Sequence, residues 1–224
     1  MLEIACFNAP SAIAAARSGA DRIELCIDYA AGGVTPPVSC VREVFPAVSS
    51  TPVMIMIRPR GGDFNYTTAE FAQMKTEIDA LKDLANGFVF GILDSEKHVD
   101  EARNRELVER AAPLPCTFHR AIDEVEDLGR AVESVIACGF TNILTSGGEK
   151  SAAEGAETVS ELQARFGQHI NLVLGGGVRS ANLAELKAKT AVPWFHSAAI
   201  TKPGEEADVR EVRSMRQALE VSAR

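Results

Sequence analysis

The residues of this chain that are able to do chemistry sit where short apolar runs stop. Cys6 closes Leu2-Glu3-Ile4-Ala5, Glu24 and Cys26 end the run after Arg22, and Arg58-Pro59-Arg60-Gly61-Gly62-Asp63-Phe64 follows Met56-Ile57. Thr117-Phe118 leads into His119-Arg120 and Asp123, and two glycine-rich turns, Thr145-Ser146-Gly147-Gly148 and Gly175-Gly176-Gly177-Val178-Arg179, precede His196-Ser197. Glu24 and His119 pair a carboxyl group with an imidazole, the types used for acid–base catalysis near neutral pH, and Arg58 supplies a cation to grip an anionic substrate group. Glu3 and His196 extend this charged cluster, which also reads as a structural ion-pair network filling a core. Ser146, Gly147, Gly148, Gly176 and Gly177 offer backbone amides to an anion such as phosphate, with Arg60 and Arg179 as counter-charges. Glycine serves tight turns for backbone reasons as well. Cys6 and Cys26 are either thiol donors for a soft metal or small buried hydrophobes.

The elements that must position these groups alternate regularly. Eight β-branched or apolar runs, near 2–6, 22–26, 53–57, 88–92, 115–119, 142–145, 171–174 and 194–197, are separated by segments of helical period. That alternation predicts βα units on a parallel sheet, and eight of them predict an α/β chain folded as a (β/α)8 TIM barrel, with a doubly wound open sheet as the other architecture. One domain spanning 1–224 fits the roughly 200 to 250 residues such a barrel needs. Pro10 and Pro36 mark the starts of the first two helices, and Thr67 with Glu70 has capping-box spacing ahead of the stripe Phe71, Met74, Ile78, Leu81. Ser151 with Glu154 predicts a second capping box at helix six, and Ser180 a cap for helix seven. In a barrel the functional groups belong at the C-terminal strand ends, where all the stretches above lie.

Composition narrows the partners. With 23 Lys and Arg against 31 Asp and Glu, the net charge of -8 opposes capture of nucleic acid or an anionic membrane surface. No apolar span or signal-like segment stands out, so the expected address is the cytoplasm. Five cysteines, widely spaced and without a CxxC pair, argue for reduced thiols rather than a disulfide framework.

Four stretches in order, Gly19-Ala20-Asp21-Arg22-Ile23-Glu24-Leu25-Cys26, Met56-Ile57-Arg58-Pro59-Arg60-Gly61-Gly62-Asp63-Phe64, Thr117-Phe118-His119-Arg120-Ala121-Ile122-Asp123 and Leu144-Thr145-Ser146-Gly147-Gly148, resemble the CutC family of copper homeostasis proteins. The resemblance runs from Leu2 to about Ser197. It implies a (β/α)8 barrel, a cytoplasmic location, assembly into a homodimer or homotetramer, and copper, as Cu(I), held by Cys6 and Cys26 at the ends of strands one and two. After His196 the chain departs from the family pattern, with Ala198-Ala199-Ile200 in place of a stretch that often holds serine and arginine, and a shorter tail. The alternative is a barrel enzyme acting at its mouth, through Glu24, Arg58 and His119, on a small phosphorylated or carboxylated metabolite. Side-chain alternation bears on the thiols: Glu24 and Cys26 share a face of their strand, whereas Glu3 and Cys6 do not, so a regular first strand with Glu3 inward turns Cys6 outward.

Overall fold

The computed structural model describes residues 1–48 and 50–221. Eight parallel strands, β1 (Leu2–Cys6), β2 (Arg22–Leu25), β3 (Val53–Met56), β4 (Gly87–Phe90), β5 (Cys116–Phe118), β6 (Asn142–Thr145), β7 (Asn171–Leu174) and β8 (Trp194–Ser197), form a closed barrel in sequence order. Closure is made by β8 pairing back onto β1, with Glu3 opposite His196, which settles the architecture against an open sheet. The eight helices between and after them are α1 (Ala9–Arg17), α2 (Val38–Ala47), α3 (Thr68–Leu81), α4 (Glu101–Ala111), α5 (Leu128–Ala137), α6 (Ala156–Phe166), α7 (Ser180–Thr190) and α8 (Val209–Val221). No described helix is long and apolar enough to cross a membrane.

The period of two along each strand divides the interior into layers. Leu2, Ile4 and Cys6 of β1 belong to the large apolar cluster that also takes in Val41, Met74, Leu107 and Val159 from the helices, and so face outward from the barrel wall. Ala5, Phe7, Cys26, Met54, Met56 and Val89 form a second, smaller cluster inside the barrel. Burying the large side chains of the outer layer, at about 25 cal/mol per Å² of apolar area, is the main force holding helices on strands.

Local signals account for most helix starts. Thr67 and Glu70 form the capping box ahead of α3, and Phe71, Met74, Ile78 and Leu81 are its buried stripe. Pro10 lies in the first turn of α1, capped by Asn8. Two expected caps are displaced. Ser151 accepts from the Glu154 amide within a separate turn, and α6 starts only after Gly155. Ser180 is the first residue of α7 rather than its cap, because its hydroxyl and amide are both bound by the Glu211 carboxylate from α8. A carboxylate at this helix start also suits the partial positive charge there.

Candidate functional site

Register places the charged groups. Across β2, β1 and β8, Arg22, Glu3 and His196 are direct neighbours, and one step further along β2, Glu24 lies opposite Ala5. Glu3 is fully buried and accepts from Arg22 Nε at one oxygen and from His196 Nδ1, 2.7 Å away, at the other. Burial alone would raise the Glu3 carboxyl, but Arg22 and His196 together hold it below the usual range. Burial likewise opposes the charge on His196, and Glu24 and Glu3 outweigh it and raise the imidazole. Arg22 also stacks on Trp194, 4.0 Å from the ring centroid, while its buried Nη2 has no hydrogen-bond partner among the described residues.

Glu24 differs from Glu3. Its carboxyl is 3% exposed and makes no hydrogen bond among the described residues, one oxygen being fully shut off from solvent. Burial pushes it up to about 7, the charge of Glu3 adds to the rise, and His196 and Arg22 restrain it. Donor atoms of Glu3, Glu24 and His196 lie within 4.8 Å of one another, close enough to share an ion. The positive charge this floor needs is already supplied by Arg22 and the histidine.

His119 stands at the end of β5, buried, with its ring packed against Phe64 at a centroid distance of 4.7 Å. Its Nδ1 accepts from the Ala121 amide at 3.3 Å, and Nε2 has no partner among the described residues. Burial, reinforced by Arg58, takes its pKa down to about 3, so the ring is neutral at physiological pH. Room for it comes from Gly91, where a Cβ would lie 2.8 Å from His119 Nδ1. Arg58 is buried beside it, but Nη1 donates to Ala31 O at 2.9 Å and Gly33 O at 3.2 Å, and Nη2 to Gly62 O at 2.8 Å. The expected substrate grip is therefore largely taken by two loops, which Arg58 clamps together.

Glu24, Arg58, His119 and His196 line one cavity of about 250 Å³ at the mouth, with Arg120, Gly176, Gly177, Arg179 and Ala198 on other sides of it. A larger open cleft of about 960 Å³ runs along residues 201–210 and Asn8, and none of the buried side-chain atoms without a partner belongs to its lining. The mouth cavity is where unmet chemistry collects.

Of the expected anion-binding residues, the structure brings Gly176 and Gly177 to this cavity and excludes the rest. Gly176 and Gly177 have φ of 98° and 79°, and their amides have no partner among the described residues. Ser146, Gly147 and Gly148 are occupied from within the chain. The Asp123 carboxylate accepts from the Ser146 amide at 3.0 Å, the Gly148 amide at 3.1 Å and Thr145 Oγ1 at 2.6 Å, and Gly147 donates to Thr145 Oγ1. Arg60 is held outside the cavity by Glu70 at 2.6 Å, Asp63 at 2.9 Å and the carbonyls of its own loop. These bonds brace the loop that carries it.

The thiols fall on opposite faces of the barrel wall, as alternation requires. Cys6 packs with the outer cluster and Cys26 with the inner one. They remain cross-strand neighbours, since Cys26 donates to the Cys6 carbonyl through its amide at 3.0 Å and through Sγ at 3.4 Å. Burial raises both thiols above their ordinary value and keeps them protonated, with Glu24 adding to the effect. The donor types suit Cu(I), whereas the orientation of Cys6 does not form a shared site with Cys26.

Two contributors were given no role by the sequence, Arg22 of the floor and Arg120 of the rim, and Asp123, noted beside the mouth, acts as an internal anion. Arg22 is two residues from Glu24 and so shares its face, a signal available in the sequence. Arg120 donates to Asp123 at 2.8 Å and to Ser146 Oγ at 2.7 Å, an arrangement only the tertiary fold creates.

A closed parallel barrel with a polar cavity at the C-terminal strand ends defines the class: a (β/α)8 protein whose unmet polar groups collect at its mouth. Within that class the chain belongs to the CutC family, whose model matches residues 1–201. It is 39% identical to the human copper homeostasis protein cutC homolog over 200 residues, covering 89% of this chain and 73% of that one. A family protein CutC from Mesorhizobium japonicum is 39% identical over 201 residues, 89% of this chain and 78% of the relative. Among solved structures, CutC from Streptococcus agalactiae superposes with a TM-score of 0.84 at 29% identity, covering 88% of this chain and 98% of that one.

Proposed function

We propose that this chain takes part in copper homeostasis, the role in the names of its human and mouse relatives, and that its molecular work is done at the barrel mouth on a small anionic metabolite. The observation that carries the mouth reading is that Glu24 and His119, both buried and each with an atom lacking a partner among the described residues, line the same cavity. Buried polar groups without partners are costly, by about 1–3 kcal/mol each, and a ligand that completes them recovers that cost. The unpartnered amides of Gly176 and Gly177, with Arg179 beside them, receive the phosphate or carboxylate. The chain works in the cytoplasm, as a homodimer or homotetramer, without nucleic acid or membrane. Thermal-shift assays with inorganic phosphate and small phosphorylated and carboxylated metabolites test the mouth. Stabilisation that disappears in His119→Ala supports it, and a saturating panel that stabilises nothing removes it.

The second reading is direct Cu(I) capture by Cys6 and Cys26, favoured by the contact that makes them cross-strand neighbours. It requires the end of β1 to open enough for the Cys6 thiol to turn inward. Anaerobic Cu(I) titration of the wild type, Cys6→Ser and Cys26→Ser decides: weakening by about tenfold or more in either variant supports a thiol site, and equal affinity in all three sinks it.

A further inference from the structure

We propose that the mouth cavity performs proton transfer beside a carbonyl group, with Glu24 removing a proton from the carbon next to C=O and His119 Nε2–H holding the carbonyl oxygen. This rests on the reading of the mouth as a small-anion site and assigns it a reaction and a substrate class.

The hydrogen bond at His119 fixes its roles. Nδ1 accepts from the Ala121 amide, so in the neutral ring the proton is assigned to Nε2. Nε2–H is then a donor, buried, without an acceptor, on a residue lining the cavity. A neutral imidazole donor strengthens its hydrogen bond as charge develops on the bound oxygen, which stabilises a transition state more than a ground state. Burial and Arg58 keep the ring neutral throughout the physiological range.

Glu24 supplies the opposite function from β2. Its carboxyl has no hydrogen-bond donor among the described residues, unlike that of Glu3, which is bound at both oxygens. A buried carboxylate that accepts no hydrogen bond is a stronger base than one held at both oxygens, and Glu24 lines the cavity where the substrate would sit. The division of labour between the two glutamates follows: Glu3 anchors the floor, and Glu24 is left to react.

The step balances without an oxidant or reductant. The Glu24 carboxylate takes the proton of the α-carbon, the C–H bonding pair forms a C=C bond, and the C=O π pair moves onto oxygen as an enolate held by His119 Nε2–H. Return of the proton to the same carbon regenerates the compound with its hydrogen exchanged. In an α-hydroxy carbonyl, delivery to the former carbonyl carbon, with the neighbouring hydroxyl proton passing to the enolate oxygen, shifts the carbonyl by one position. The cavity of about 250 Å³ is the volume of about eight waters at ~30 Å³ each, which suits a three- or four-carbon carbonyl compound bearing a phosphate or carboxylate. Its anionic end lies toward Gly176, Gly177 and Arg179.

The test is solvent exchange in D2O followed by proton NMR, with dihydroxyacetone phosphate, dihydroxyacetone, glycerol 3-phosphate and pyruvate as probes. The expected result is loss of the α-hydrogen signal of a carbonyl probe with an anionic group at least ~100-fold faster than in buffer, and none from glycerol 3-phosphate, which has no carbonyl. Glu24→Gln, which keeps shape and volume, lowers exchange by ~100-fold or more with binding retained. His119→Ala lowers it by ~10²-fold, and His119→Gln, which keeps an N–H donor, recovers part of the loss. Circular dichroism of each variant confirms the fold. Thermal shift with the same probes separates the two levels of the argument. Binding without exchange overturns the proton transfer and leaves the mouth reading standing, whereas no binding by any probe overturns both. Exchange that survives Glu24→Gln overturns the assignment of the base.

Discussion

After β6 the chain reads Thr145-Ser146-Gly147-Gly148, and after β7 it reads Gly175-Gly176-Gly177. Both turns use glycines at positive φ, both precede a helix, and both present backbone amides toward the barrel mouth side. Their fates differ. The turn after β6 closes around the carboxylate of Asp123, which arrives from the end of β5. The turn after β7 keeps its Gly176 and Gly177 amides unfilled beside the cavity. One cradle is thus part of the fold's own polar bonding and the other is available to a ligand. Glycine content and strand position report that amides are offered; only the surrounding side chains decide what takes them.

Removing the internal anion should have the largest effect on this contrast. Asp123→Ala leaves the Ser146 and Gly148 amides, Thr145 and Arg120 without their acceptor and is expected to cost about 3 kcal/mol, roughly 6–12 °C in Tm, measured by denaturant and thermal unfolding. If the emptied cradle is a true anion site, formate or phosphate should restore part of that stability in Asp123→Ala while giving the wild type no comparable gain at that turn. A variant with unchanged stability would erase the distinction between the turns.

The pH dependence of His119 comes next. Its pKa is about 3 in the fold against about 6.5 when exposed, so the unfolded chain binds the proton first as pH falls. Stability from the buried neutral ring is fully present above about 6.5 and lost as pH drops toward 3. Denaturant unfolding at pH 7, 6, 5 and 4 should show the wild type losing on the order of 2 kcal/mol more than His119→Gln over that window. Parallel curves would show that the ring is not buried as described.

Smaller effects mark the two turns individually. At Gly177 nothing lies within 4 Å of an added Cβ, so Gly177→Ala meets only the strain of positive φ, about 1 kcal/mol. The shift this imposes on the open amides should weaken anion binding by about tenfold in calorimetry, with the fold retained. Arg60→Ala is expected to leave anion affinity within about twofold, because Glu70, Asp63 and loop carbonyls already hold that side chain away from the cavity. A large loss in Arg60→Ala would return Arg60 to the site.

These contrasts also locate the limit of sequence reasoning. The eight strands, the capping box at Thr67 and the inward facing of both Glu3 and Glu24 follow from local periodicity, and all appear in the structure. So does the outward turn of Cys6. The assignments that moved were decided by partners distant in sequence. Asp123 fills the turn at 146–148, Glu211 claims Ser180, and three backbone carbonyls from two loops take the terminal nitrogens of Arg58. Residue type announces a donor or an acceptor, but pattern along the chain does not announce which competing partner reaches it first.

The Arg58 clamp has a kinetic consequence. Its charge is met by carbonyl dipoles and has no ion pair among the described carboxylates, so a positive potential persists inside a chain of net charge -8. An approaching anion is repelled at long range and attracted only near the mouth. Salt screens the distant repulsion, over a Debye length of about 10 Å at 0.1 M, more than the buried attraction. Anion association should therefore speed up with moderate ionic strength, the reverse of ordinary electrostatic steering, and the cavity would select for ligands already close by.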